Sequence, residues 1–191
     1  MQQNFFVHPS AFVDEGAKVG EGTKIWHFSH VMPKAIIGNQ CNIGQNVYID
    51  NNVTIGNGVK IQNNVSVYNG VIVEDDAFLG PSIVFTNVNN PRSFIERKNE
   101  FRVTRVKKGA SIGANATIVC GNTIGEYAFV GAGSVVTKEV KNFSLVIGNP
   151  ARHSAWMSAF GHKLEFDKGG HATCPESGQR YRLEDGVVTK V

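Results

Sequence analysis

What the chain has little of narrows its class. Three cysteines in 191 residues, at positions 41, 120 and 174, are an odd and scattered set that excludes a disulfide framework. Cys174 has no C-x-x-C partner and His171 alone does not complete a ligand set, so no metal is expected. Net charge is small: 19 basic against 16 acidic residues leave +3, with no basic footprint for nucleic acid. No apolar run approaches the roughly 18 residues of a membrane span. The opening MQQNFFVHPS has neither a basic segment nor an apolar core. No secretory signal is expected there, and a cytoplasmic location is.

Glycine is plentiful, at 21 residues, and so is a six-residue rhythm. Val7, Val13, Val19, Ile25, Val31, Ile37 and Ile43 open a ladder that continues through Ile49, Ile55, Ile61, Val67, Val73 and Leu79 to Phe85. Four residues on runs a second ladder of small or β-branched residues, from Ala17, Thr23 and Ser29 through Cys41 to Ala77. A period of 3.6 cannot stay in step with six over this length, which excludes a long amphipathic helix. Simple strand alternation leaves the recurrent Gly and Asn between the ladders unexplained. A hexapeptide repeat is the signature of an all-β, parallel β-helix, in which each short strand is covered by its neighbours.

The ladder resumes at Val106, Ile112, Ile118, Ile124, Val130 and Val136, enough in all for six or seven triangular coils. These boundaries predict a β-helix over 1–140, interrupted by an inserted loop at about 86–105. The loop, rich in Asn and Arg, is the kind of excursion from a strict scaffold that carries function. An extension over 141–191 follows, with Pro150 placed to open a short helix over Ala151–Phe160. Asp185-Gly186 between alternating runs predicts a hairpin in 165–191.

The hexads, GANATIVCGNTIGEYAFVGAGSVVTKEV and the closing VIGNPAR resemble the left-handed β-helix acyltransferases that use acyl-CoA. KIWHFSHV, GQNVYI, KIQNNVSVYNGV and DDAFLGPSIVFTNVNNPRS are similar to the subgroup that N-acetylates the 3-amino group of nucleotide-linked sugars. The resemblance implies left-handed coiling, acetyl-CoA as cosubstrate and a homotrimer with sites between neighbouring prisms. The implied acceptor is a UDP-linked 2-acetamido-3-amino-2,3-dideoxyglucuronate of O-antigen biosynthesis. The alternative is a dTDP-linked 3-amino-3,6-dideoxyhexose, and the contrasting class is a non-catalytic scaffold. A scaffold has no use for GNPAR or for the Asn/Arg loop.

Transfer to an amine needs a positioned thioester, oxyanion stabilisation and a proton sink. Relatives in the superfamily place a catalytic His before a Pro in the inserted loop. Here that dipeptide is Asn90-Pro91. Asn87 is the expected positioning residue, since an amide orients and donates but does not accept a proton at neutral pH. His27 and His30 remain as base candidates, with an interface role the competing reading for His27. Arg92 suits a sugar carboxylate. Gln45, Asn63 and Tyr48 recur on successive coils, either as a polar stripe for uridine and sugar hydroxyls or as ladders capping the turns. Ala114, Ala116, Gly131 and Ala132 are small enough to admit pantetheine. Lys138 and Arg152, flanking the NPA turn, suit the phosphates at coenzyme A's nucleotide end.

Overall fold

A computed structural model of the protein describes residues 4–191. The hexads form two-residue strands that wind into a prism of three parallel sheets, the left-handed β-helix of the sequence reading. The first face stacks Phe6–Val7, Lys24–Ile25, Asn42–Ile43, Lys60–Ile61, Phe78–Leu79, Ser111–Ile112, Phe129–Val130 and Ser144–Ile147. The second runs from Phe12–Val13 to Val135–Val136, and the third from Lys18–Val19 to Thr123–Ile124. Eighteen residues bring the chain back to the same face: Phe6 pairs Lys24 and Val7 pairs Ile25.

The second residue of each strand points inward, and Ile25, Ile43, Ile61 and Leu79 are wholly buried. Cys41 sits among them as a small core residue. Thr23 and Ser29, in the second ladder, are also buried. Their hydroxyls donate to the carbonyls of Gly38 (2.8 Å) and Gly44 (2.7 Å), joining one coil to the next.

Gly and Asn recur because most corners take one residue in the left-handed backbone region. At the corner between first and second faces Asn46, Asn64 and Asn115 have φ of 56°, 63° and 57°. Gly113 answers a different demand: a Cβ there would lie 2.5 Å from the Ala132 amide of the next coil.

Ile72 pairs Arg105, thirty-three residues on rather than eighteen, so fifteen residues loop out of one coil. The loop leaves after Phe85 and returns at Thr104, with a single 3-10 turn at Lys98–Glu100. The prism also outlasts the visible ladder. Val140 bridges Ile124 on the third face, and Ser144–Ile147 completes another first-face strand.

The short helix expected over 151–160 is absent. Arg152–Met157 is a strand that lies antiparallel on Ser144–Ile147, and Lys163–Leu164 lies antiparallel on it in turn. The last coil presents unpaired backbone groups, and a strand satisfies them where a helix would not. The expected hairpin is present as Arg180–Glu184 and Val187–Lys190, joined by His171–Thr173 into a three-stranded sheet. Its own small core packs Tyr181, Cys174, Leu164 and Val188 against Phe143.

Candidate functional site

The candidate residues fall on two edges of the prism and in one cleft. His27, Gln45, Asn63, Ala114 and Ala132 follow first-face strands and stack along the edge between first and second faces, with Gly131 beside Ala132. Asn87 and Lys138 follow second-face strands and belong to the edge between second and third faces. His27 and Asn87 are therefore three coils and one edge apart, and a single chain does not bring them together.

On the first edge His27 is half-buried, and its ring stacks on that of His8 with centroids 3.5 Å apart. Burial, and then the neighbouring His27, hold His8 below the ordinary imidazole range. His30 projects from the second face, its Nε2 3.0 Å from Asp14 Oδ2. Asn63 Oδ1 accepts the Gln45 amide at 2.9 Å, and on the edge between third and first faces Asn39 and Asn57 make the same kind of contact to Glu21 and Asn39. Asn63 thus caps a turn and keeps its amide Nδ2 for other partners. Tyr48 lies outward on the second face, its hydroxyl donating to Asp50 Oδ1 at 3.2 Å. Burial and the Asp50 charge push its phenol up. Ala116 departs from expectation: it is 0% exposed inside the core, so its side chain does not line a surface for pantetheine.

On the second edge the loop is fixed at its root. The Asn87 carbonyl accepts the Arg102 amide at 3.1 Å, closing the loop on itself. Asn89 Oδ1 accepts the Cys120 thiol at 3.2 Å. Cys120, which falls outside both ladders, is buried. Arg92 is exposed, with Nη1 donating to the adjacent Pro91 carbonyl at 3.1 Å.

Beyond the loop, at the end of the prism, lies a cleft of ≈ 460 Å³. Lys138 and Arg152, expected together from the sequence, both line it. Lys141, His153 and Trp156 line it too, and sequence reasoning missed all three. His153 and Trp156 come from the strand that replaced the expected helix, and Lys141 from the turn before Ser144–Ile147. The His153 ring lies 4.5 Å from that of Trp156, and its Nδ1 shares a 2.7 Å hydrogen bond with Ser144 Oγ. Burial, and then the Lys141 charge, lower its affinity for a proton. Cations beside an indole suit an anionic ligand that carries a flat ring. Among the described residues no group of three or more His, Cys, Asp or Glu is placed to hold a metal.

Known proteins share this pattern. The bacterial transferase hexapeptide family (six repeats) matches residues 16–51. The hexapeptide repeat of succinyl-transferase matches residues 34–69 and 104–138, leaving the loop between them. The chain is 48% identical over 186 residues to a dTDP-3-amino-3,6-dideoxy-alpha-D-galactopyranose 3-N-acetyltransferase of Aneurinibacillus thermoaerophilus, covering 97% of this chain and 95% of that one. A putative acetyltransferase of Schizosaccharomyces pombe is 31% identical over 83 residues, 42% of this chain and 40% of its own. Among solved structures, the acetyltransferase domain of PglB from Neisseria gonorrhoeae, in complex with acetyl coenzyme A, superposes with a TM-score of 0.52. It is 21% identical and covers 79% of this chain and 58% of that one, a likeness of fold alone.

Proposed function

The chain belongs to the hexapeptide-repeat acetyltransferases, and from that membership we propose that it acetylates the 3-amino group of a dTDP-linked 3-amino-3,6-dideoxyhexose, with acetyl-CoA as donor. The observation that carries the acceptor is identity of 48% over nearly the whole length with an enzyme named for that class of sugar. The UDP-linked acidic sugar expected from the sequence has less behind it. Arg92, its intended carboxylate clamp, is exposed and gives one donor to the Pro91 carbonyl, as Arg152 does to that of Ala151.

In the reaction the amine nitrogen bonds to the thioester carbonyl carbon and the C–S bond breaks. The amine's surplus proton passes through water to the departing thiolate, so coenzyme A leaves as the thiol. Asn87 positions the reacting groups. Ala114, Gly131 and Ala132 admit pantetheine along their edge. Lys138 and Arg152 hold phosphate at the nucleotide end, with Trp156 available to the adenine ring. Asn63 and Gln45 offer amides to the acceptor, and Tyr48 an aromatic face.

These sites form between neighbours in a homotrimer. Support comes from the division of the candidates between two edges, which only a second copy can bring face to face. A rotation axis parallel to the prism keeps each coil at its own level. Asn87, in the fifth coil, is then level with the stretch between Asn63 and Ala114 on the facing edge. His27 lies three coils lower, roughly 14 Å at the usual strand spacing. That separation favours transfer without a histidine base.

The test is thiol release from acetyl-CoA with dTDP-3-amino-3,6-dideoxyhexoses, UDP-2-acetamido-3-amino-2,3-dideoxyglucuronate and their amine-free counterparts. Highest kcat/KM with a dTDP-amino sugar is the expected result. Preference for the acidic UDP-sugar would replace the acceptor and restore Arg92 as its clamp. Release with none of them would overturn 3-amino acetylation.

A further inference from the structure

Lys141 reaches across 45 residues of sequence to the tip of the C-terminal hairpin, where its Nζ donates to the Gly186 carbonyl at 2.9 Å. Gly186 also lines the cleft that contains Lys138 and Arg152, so the tip of the C-terminal hairpin reaches its rim. The tip is shaped for this contact. Gly186 sits at φ +69°, and a Cβ there would have Lys141 Nζ as its neighbour at 3.3 Å. One carbonyl uses only one of the ammonium's three donors. None of Lys138, Lys141 and Arg152 is ion-paired with a carboxylate among the described residues, although Glu139 lies in the same lining. Three unneutralised cations converging on a cleft with an indole make a recognition surface for the phosphates of a nucleotide.

We propose that Lys141 is a phosphate-binding residue for coenzyme A's nucleotide end and that the C-terminal sheet, through the Gly186 carbonyl, is the element that positions it. The inference rests on the reading of this cleft as the nucleotide end of the donor site. It gives residues 165–191 a part in choosing the acyl donor. Nucleotide thioesters are favoured over acyl carriers that present bare pantetheine. The flexible ammonium is fixed in advance by the hairpin tip, so less rotamer freedom is lost on binding.

The measurement is calorimetric titration of the full-length protein with coenzyme A, dephospho-coenzyme A and pantetheine. Wild type should bind coenzyme A well and pantetheine weakly. Lys141→Gln should weaken coenzyme A about tenfold or more, comparable with loss of one charge-assisted contact, and leave pantetheine unchanged. Lys141→Arg should recover most of the loss. A smaller loss with dephospho-coenzyme A would assign the contact to the 3′-phosphate, and an equal loss would assign it to the pyrophosphate. Gly186→Ala, verified as folded by circular dichroism, should weaken coenzyme A without changing affinity for the dTDP-sugar. Wild-type affinity for coenzyme A in Lys141→Gln would overturn the inference while leaving the donor reading intact. Failure of the wild type to bind coenzyme A would remove the donor reading, and the inference with it.

Discussion

The Cys120 thiol donates to Asn89 Oδ1 over 3.2 Å, tying the inserted loop to the coil that follows it. The contact sits two residues from Asn87, so it steadies the segment proposed to hold the reacting groups. Cys120→Ser keeps a donor and should be tolerated. Cys120→Val leaves the amide oxygen without its partner and should cost about 1 kcal/mol. It should also speed hydrogen exchange at the Arg102 amide, which closes the loop on the Asn87 carbonyl. Unchanged exchange there would mean that the loop is held by other contacts.

Asn87→Ala should lower turnover by about 10- to 1000-fold, the range for removal of a positioning or oxyanion donor. His27→Asn should cost less than tenfold. A larger loss at His27, with the pH profile moving to match, would make it the base despite its distance along the prism.

The corner between first and second faces depends on close approach of coil to coil. Gly113→Ala puts a Cβ 2.5 Å from the Ala132 amide, backbone that has no room to yield. Its melting temperature should fall further than that of Ser29→Ala. The serine change strands the Gly44 carbonyl and the Val47 amide, which now bond the hydroxyl at 2.7 and 3.1 Å, a loss of about 1–3 kcal/mol. A reversed order in thermal denaturation would show that coil spacing relaxes more readily than the corner hydrogen bonds do.

His8 and His153 both bind protons less readily in the folded chain, chiefly through burial. In the window from their depressed values up to the ordinary imidazole value of about 6.5, the unfolded chain binds more protons. Their contribution to stability is therefore complete above that window and is lost as pH falls through it. Urea midpoints should decline from pH 7.5 to pH 5. Because the Lys141 charge is part of the cause at His153, Lys141→Gln should raise the titration midpoint of that ring by NMR.

Cys174 carries a contradiction. Burial raises its pKa, but the Ser158 and Ser177 hydroxyls and the Ser177 and Glu176 amides outweigh it and bring it down to about 7. Its side chain is nevertheless shut inside the C-terminal core, 1% exposed. Ellman's reagent should find no fast-reacting thiol in the native protein and three after denaturation. Rapid native labelling at Cys174 would show that the C-terminal sheet opens on its own.

The parts of the fold that repeat were legible in the sequence. Every sixth residue meets the same environment, so a run such as Ile43, Ile49, Ile55 and Ile61 repeats one requirement often enough to read. Terminal pieces lack that redundancy. Pro150 suggested a helix over 151–160, but the open edge of the last coil decided for a strand. No local pattern marked Val140 as a further coil position, because one buried residue is not a ladder. Long-range contacts explain the gaps in the site. Lys141, His153 and Trp156 join Lys138 and Arg152 only after the chain folds back on Ser144–Ile147, and the tie to Gly186 spans 45 residues. The burial of Ala116 was readable from its place in the small-residue ladder, and its closeness to Ala114 in sequence obscured that.

The eighteen-residue coil also governs which changes in length the molecule tolerates. An insertion of eighteen within the prism would slide everything beyond it along the axis by one strand spacing, about 4.8 Å, without turning it. An insertion of six would rotate the remainder by a third of a revolution and move Lys138 to a different edge. The fifteen-residue excursion does neither, because it leaves and re-enters the same coil with its register intact. Corners are therefore where chain length is free to drift, while along the faces it is quantised.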